Sequence, residues 1–243
     1  MKYTLLSIAF FLAAWNVTCF FTPSIILPSP GMVWNSFLEQ LLSGEIPESL
    51  ATTALRVFSG FIGGLAVGSL LGFAAGLSRK LYRFTRPYIA MMQSVPRLSW
   101  ILIATFWFGL TPSVVVFLVG VTVLPFFYVN VSESVRYTDK HMLEVARVYR
   151  MSFISRFTDI LLPSAAGSIM AASSVSLSVS WKAVIMAELL SVPDGIGAQM
   201  SVAQSNIDMS AILAYTIVVA LIAWGSNALM TFIFDRYFKR WKA

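Results

Sequence analysis

The sequence predicts an all-α integral membrane protein with six transmembrane helices. Of its 243 residues, 58% are hydrophobic and only 12% are charged, whereas soluble domains carry about 25% charged residues. The mean hydropathy is +0.78. Six apolar runs of about 19–27 residues are each long enough to cross a hydrocarbon core about 30 Å thick. We predict spans at about 3–21, 55–77, 88–110, 113–131, 164–190 and 211–234.

The basic residues predict that both ends of the chain lie in the cytoplasm. In that orientation 14 of the 17 Lys and Arg residues are cytoplasmic, and only Arg56, Arg97 and Lys182 lie in or at the start of spans. This asymmetry follows the positive-inside rule. The net charge of +6 therefore reflects orientation in membrane lipid and does not indicate nucleic acid as a partner. The cytoplasmic residues are Lys2, Arg79, Lys80, Arg83, Arg86, Arg136, Lys140, Arg147, Arg150, Arg156, Arg236, Lys239, Arg240 and Lys242.

The first span has an alternative interpretation. Lys2 followed by an apolar run is also compatible with a cleavable signal peptide. Keeping the segment gives an even number of spans, as two cytoplasmic ends require. Its Cys19 is the only cysteine, so redox chemistry is not indicated.

The second span carries a glycine at every fourth position over four turns. In lipid such a ridge lets another helix backbone approach closely and gain dispersion contacts. Chance enrichment is the alternative, but five glycines in register favour a packed helix pair over a ligand site. The glycines are Gly60, Gly64, Gly68, Gly72 and Gly76.

Polar residues mark a candidate translocation path in the third span. Gln93 and Arg97 flank Pro96, which is expected to kink the helix near mid-membrane, and Trp100 follows. An unpaired cation at this depth is costly, so Arg97 should face water or a partner. The alternative is a structural pair between Arg97 and a carbonyl group freed by the proline.

The fifth span contributes Trp181, Lys182 and Glu188 to the same candidate path. Lys182 lies in the outer part of the span, where it could instead extend to the interface. The seven serines of this span are better explained by helix packing than by pore lining. Outside the membrane, 27–42 is expected to form a short helix that begins near a proline, and 191–208 an external loop.

The cytoplasmic loop, about 132–163, contains a charged segment with helical periodicity. It predicts two short helices, and the alternative is an amphipathic loop on the membrane surface. We expect Val145, Ala146 and Tyr149 to share one face of the first helix, and Phe153, Phe157, Ile160 and Leu161 to form one apolar stripe on the second. The only histidine, His141, has no cysteine or second histidine nearby, so no metal site is expected. No phosphate-binding GxxxxGK[ST] occurs, so this chain should bind no ATP.

The same loop resembles the EAA motif of permease subunits of ABC importers. That motif reads Glu-Ala-Ala, three residues, Gly, nine residues, Ile, one residue, Leu-Pro. It is matched at Glu144, Ala146, Ile160, Leu162 and Pro163. Nearly the whole chain is similar to the nitrate, sulfonate, bicarbonate and taurine branch, through LPSP at 27–30, ALRVFSGF at 54–61, FWFG at 106–109, AE at 187–188 and GIG at 195–197.

The resemblance implies a single permease domain over 1–243 with the type I importer (MetI-like) fold, in the bacterial cytoplasmic membrane. It implies a second permease subunit, in a homodimer, and a periplasmic or lipid-anchored binding protein. Two cytoplasmic ATPase subunits would bind ATP and Mg and receive the loop in a groove. Arg147 and Arg150 suit an acidic rim of that groove. Members of the branch carry nitrate, sulfonates, bicarbonate and vitamin precursors, and Arg97 and Lys182 favour an anionic solute.

Two positions depart from the motif. Val145 replaces its second alanine, and Arg150 replaces its glycine. A left-handed backbone at Arg150 would cost about 1 kcal/mol relative to glycine. Either the turn has moved to Met151 and Ser152, or the backbone here is not left-handed.

The sequence disfavours two other functions for a small membrane protein. A stand-alone channel or secondary transporter would be expected to carry gating or ion-coupling acids within its spans, and the spans offer little beyond Arg97, Lys182 and Glu188. A membrane enzyme would need a nucleophile with a base, or a metal cluster, and the sequence offers neither.

Overall fold

The computed structural model describes residues 2–238, and all regular structure within them is helical. A π-helical segment, Phe157–Leu161, joins α8 to α9, so that 153–191 form one continuous helix. The helices are α1 Lys2–Phe21, α2 Pro30–Leu42, α3 Glu45–Leu77, α4 Arg79–Ser94, α5 Arg97–Phe108, α6 Pro112–Arg136, α7 Lys140–Val148, α8 Phe153–Arg156, α9 Leu162–Ser191, α10 Ile196–Ser205 and α11 Met209–Phe238.

Within 2–238, four helices are long and apolar enough to cross a membrane: α3, α6, α11 and the continuous helix that contains α9. The pair α4 and α5 makes a fifth crossing if it is one span, although its two helices are bent by 99°. The apolar part of α1, Ala9–Phe21, is shorter. The six-span count and the cytoplasmic location of both ends stay predictions.

Two segments predicted to lie at or beyond the outer face differ from expectation. Helix α3 begins at Glu45 and not near residue 55, so Arg56 lies well inside a helix. The segment 191–208, expected to be a loop, contains α10. By contrast, α2 begins at Pro30 with Ser29 as its N-cap, whose hydroxyl accepts a hydrogen bond from an amide of the first turn.

The glycine ridge of α3 lies against α6 along its whole length. A Cβ atom added to Gly60 would lie 2.5 Å from Cβ of Val119, and one added to Gly68 would lie 2.5 Å from the carbonyl oxygen of Leu124. Cβ atoms added to the other three ridge glycines would lie 2.5–2.9 Å from the nearest atom of α6. Gly63, on another face of α3, has nothing within 4 Å of such an atom. The ridge therefore brings the two backbones together as the small-residue spacing predicts.

Helix α6 forms the centre of the bundle. Its Val119, Val123 and Phe127 are fully buried in a core that α3, α5 and α9 share. Phe127 packs edge-on against Phe61 of α3, with 5.8 Å between ring centroids. The peripheral helices α1 and α11 instead expose many large apolar side chains, as expected of surfaces that face lipid or a partner.

Candidate functional site

A cavity of about 340 Å³ lies where α4 meets α5. Val95 and Pro96 separate the two helices, and Val95 is extended, with φ −70° and ψ 127°. A residue that precedes proline is disfavoured in the helical region, so the chain turns sharply there. Three predicted path residues, Gln93, Arg97 and Trp100, line this cavity together, and α6 closes it.

The cavity has the electrostatics of an anion site. Arg97 is exposed in it and has no ion pair within 4.0 Å among residues 2–238. It also makes no hydrogen bond to a described carbonyl group, so the alternative of a structural pair with a freed carbonyl is not supported. Arg97 opens α5, whose N-terminus has no side-chain cap. The unpaired amides of a first helical turn add partial positive charge to that of the guanidinium group.

The other walls of the cavity are apolar or weakly polar. Trp100 packs edge-on against Phe117 of α6, with 6.3 Å between ring centroids. Thr122 and Pro125 of α6 also face the cavity. Such a site can hold a small anion at Arg97 and Gln93 while an apolar part of the same solute contacts the aromatic wall.

The three path residues predicted on α9 do not join this cavity. Trp181 is 1% exposed, and its Nε1–H donates to Oγ of Ser226 at 3.0 Å, so it belongs to the core. Glu188 is fully buried in an ion pair. The prediction that Trp181 and Glu188 line the path was therefore wrong. Lys182 is exposed on α9, outside the cavity.

Glu188 instead lies at the centre of a buried polar network that connects α3, α9 and the start of α10. Its carboxylate accepts hydrogen bonds from Nη1 of Arg56 at 2.8 Å, Oγ1 of Thr53 at 2.9 Å and the amide of Gly197 at 3.1 Å. Arg56 also contacts Asp194, with 2.7 Å between Nη2 and Oδ1. A buried charge pair is tolerated only when its remaining hydrogen-bonding capacity is filled, as it is here.

Two glycines make room for this network. Gly195 has φ +97°, and a Cβ atom added to it would overlap the Glu188 carboxylate. A Cβ atom on Gly197 would lie 2.5 Å from the carbonyl oxygen of Ile185. The segments 54–61, 187–188 and 195–197, which resemble one permease branch separately, thus meet at one place in the fold.

Sequence reasoning missed this network, although one signal was available. Arg56 and Glu188 have opposite charges and lie inside apolar helices, where an ionisable residue normally needs a partner. Among the basic residues, only Arg97 and Lys182 were predicted to line the translocation path.

In the loop predicted over about 132–163, α7 has one buried and one exposed face. Ala146 is 1% exposed, whereas Val145 and Tyr149 are 54% and 78% exposed. The prediction that these three share a face was wrong for Ala146, because adjacent helical residues point about 100° apart. Glu144 is exposed, and its carboxylate lies 4.0 Å from Nδ1 of His141. Exposed apolar side chains form what we name the coupling surface: Met142, Val145, Val148, Tyr149, Phe153 and Ile154.

Arg150 adopts a left-handed backbone, with φ +50°. The amide of Arg150 donates to the carbonyl of Arg147, and the amide of Met151 donates to that of Ala146. These two bonds form a Schellman C-cap with Arg150 at the position that glycine normally takes. Both alternatives, a displaced turn and a right-handed backbone, were therefore wrong, and the turn is kept despite the strain.

The second half of the motif anchors the loop to the bundle. Phe157 packs against Phe73 of α3 with 4.9 Å between ring centroids, and Leu161 is 3% exposed. Phe153, expected on the same apolar stripe, is 61% exposed. The π-helical turn changes the phase of the helix just before Pro163, which cannot donate to the preceding turn. Ile160, Leu162 and Pro163 are half-buried.

The family described as "Binding-protein-dependent transport system inner membrane component" matches residues 64–243. The chain belongs to this family. It is a permease subunit of an ABC importer and a multi-pass protein of the bacterial inner membrane. Family membership confirms the resemblance that the EAA spacing predicted and argues against the stand-alone channel.

Relatives of this permease include sulfonate and nitrate permeases. A protein of Escherichia coli (strain K12) described as aliphatic sulfonates transport permease SsuC is 33% identical over 197 residues, 81% of this chain and 75% of that protein. Its Bacillus subtilis (strain 168) counterpart is 25% identical over 217 residues, 89% of this chain and 78% of that protein. The nitrate import permease NrtB of Leptolyngbya laminosa is 27% identical, covering 77% and 67% of the two chains.

Solved structures confirm the fold of the permease. A chain of the inward-facing methionine ABC transporter MetNI superposes with a TM-score of 0.63 at 20% identity, covering 88% of this chain and 100% of that one. A chain of an amino acid ABC transporter gives a TM-score of 0.57 at 17% identity, covering 84% and 95%. The permease therefore has the MetI-like type I importer fold.

Proposed function

We propose that this permease carries a small anionic solute along a path that passes the Arg97 cavity. The observation that carries the proposal is the unpaired, exposed Arg97 at the uncapped N-terminus of α5. Both features stabilise a negative charge, and Gln93 adds a hydrogen-bonding group on the same wall. Sulfonate and nitrate, which name the relatives, are anions of this kind.

The working assembly in this proposal is a homodimer of the permease with two ATPase subunits and an external binding protein. The ATPase subunits bind ATP and Mg, and the binding protein delivers the solute. Six spans, with both ends in the cytoplasm, place α2 and α10 outside and α7 inside. Phe106 and Trp107 at the end of α5 are 91% and 63% exposed, which suits contact with the second subunit.

Coupling to the ATPase in this proposal occurs through the segment 144–163. The coupling surface exposes six large apolar side chains, a cost in water that docking on a soluble partner removes. The opposite face of α7 packs on the bundle through Ala146. Closure of the ATPase dimer on ATP would draw the two coupling segments together and open the cavity outward. The proposed coupling residues are Glu144, Ala146, Arg147, Arg150, Ile160, Leu162 and Pro163.

Substitution of Arg97 tests the path. We expect Arg97→Gln to lower uptake of an aliphatic sulfonate or nitrate about tenfold or more in proteoliposomes of the whole importer, because one charge-assisted contact contributes about 1.5–3 kcal/mol. Arg83→Gln is the matched control, since it removes the same charge from an exposed position on α4 outside the cavity. Wild-type uptake by Arg97→Gln in an intact complex would refute the proposed path.

Charge reversal at Glu144 tests coupling. We expect Glu144→Lys to abolish retention of the ATPase subunits, or to uncouple ATP hydrolysis from uptake, while the permease still inserts. Glu39→Lys makes the same change at an exposed position of α2, at the proposed outer face. It should leave ATPase retention and coupled uptake unchanged. Coupled transport by the Glu144 variant would count against the assignment.

A further inference from the structure

A second cavity, of about 610 Å³, lies at the proposed cytoplasmic end of the bundle and is lined by four arginines. Each comes from a different helix: Arg79 from α4, Arg136 from α6, Arg147 from α7 and Arg156 from α8. The cavity is distinct from the one at Arg97, and of its four arginines only Arg147 is among the proposed coupling residues. Its wall is completed by apolar side chains such as Val135 and Leu161.

Within the part of the chain that the structure describes, 2–238, no carboxylate neutralises the four guanidinium groups. None of the four makes an ion pair within 4.0 Å there. The Nε–H group of Arg156 is buried and has no hydrogen-bond acceptor. Arg136 stacks over the ring of Tyr82 at 3.8 Å, a contact that leaves the N–H groups at its edge available.

Like charges that share one cavity repel one another, and a buried donor without an acceptor is costly. A multivalent anion removes both penalties at once. A phosphate group presents several acceptor oxygens to separate guanidinium forks, whereas a carboxylate has two oxygens and is satisfied by a single fork. We propose that this cavity binds a phosphate-bearing anion, from a lipid headgroup or free in the cytoplasm, and thereby ties α7 and α8 to α4 and α6.

Binding can be measured on the full-length permease alone, so the result does not depend on the proposed path or on ATPase coupling. The chain is purified in detergent with or without inorganic phosphate, at constant ionic strength, and is separately reconstituted in nanodiscs of phosphatidylcholine with or without phosphatidic acid, whose phosphomonoester group has three free oxygens. The thermal unfolding midpoint reports binding of either probe by linkage. A midpoint that rises with phosphatidic acid and not with phosphate supports a lipid headgroup, and a midpoint that rises with phosphate supports a soluble anion.

Variants assign the binding to the arginines. Arg79→Gln and Arg156→Gln should each weaken binding of the effective probe about tenfold or more, since each removes one charge-assisted contact. Arg83→Gln, one turn beyond Arg79 on α4 and outside the cavity, should bind like the wild type. Wild-type affinity in both cavity variants would overturn the proposal. No binding of either probe would overturn it as well, and loss of ATPase retention in Arg156→Gln would then assign the cluster to an acidic protein surface.

Discussion

The contact between α3 and α6 permits a controlled test in which one added methyl group should have opposite effects at two glycines of one helix. In Gly68→Ala the new Cβ atom would lie 2.5 Å from the carbonyl oxygen of Leu124, where ordinary contact begins at 3.4 Å. The two backbones must therefore separate by about 0.9 Å. A gap of that size removes up to about half of the dispersion energy of each nearby atom pair. We expect a destabilisation of about 1–3 kcal/mol.

Gly63→Ala is the matched control because nothing lies within 4 Å of its added atom. Alanine is favoured over glycine inside a helix by about 0.5–1 kcal/mol, so this variant should be slightly more stable than the wild type. The free energy of unfolding of both variants can be measured by SDS titration in mixed micelles. Equal stability of the two variants would refute the argument that the ridge sets the distance between α3 and α6.

Two further predictions concern the ion pair and the C-cap. Glu188→Leu should destabilise the fold by about 3–5 kcal/mol because Arg56 would lose its buried partner and keep only the half-exposed Asp194. The double variant with Arg56→Met should recover much of that loss, and a double variant as unstable as the sum of its single changes would contradict the pairing. Arg150→Gly should stabilise the loop around α7 by about 1 kcal/mol, whereas Arg147→Gly, inside α7, should destabilise it by a similar amount. Hydrogen exchange of the α7 amides distinguishes these outcomes, and slower exchange in the Arg147 variant would oppose them.

Features that depend on local sequence could be predicted. The four-residue glycine spacing shows a ridge without any knowledge of its partner, and Pro96 breaks a helix through its own ring and missing donor. The match of the cytoplasmic loop to the EAA motif likewise needs only spacing along the chain. The degree of bending at Pro96, 99°, could not be predicted because it depends on how α5 packs against α6.

Features that depend on long-range contacts were missed or misplaced. Arg56 and Glu188 are 132 residues apart in the chain, and nothing local shows that they meet. For α9, however, helical spacing did contain a usable signal. Trp181, Val184 and Glu188 are spaced i, i+3 and i+7, so they share one face, which is the buried one. Choosing residues by polarity alone grouped Trp181 and Glu188 with Lys182, which lies on the opposite, exposed side.

The position of α6 gives a physical route between the two ends of the proposed mechanism. One side of α6 is held against the α3 ridge, from Gly60 to Gly76, at distances that leave no space for a methyl group. Another part of α6 closes the Arg97 cavity, and the C-terminal end of α6 lines the arginine cavity beside α7 and α8. Because close packing resists bending along this contact, α3 and α6 should move as one rigid pair when the coupling segment is displaced. The Arg97 cavity would then change shape mainly through α4 and α5, which meet at a break and can rotate about it.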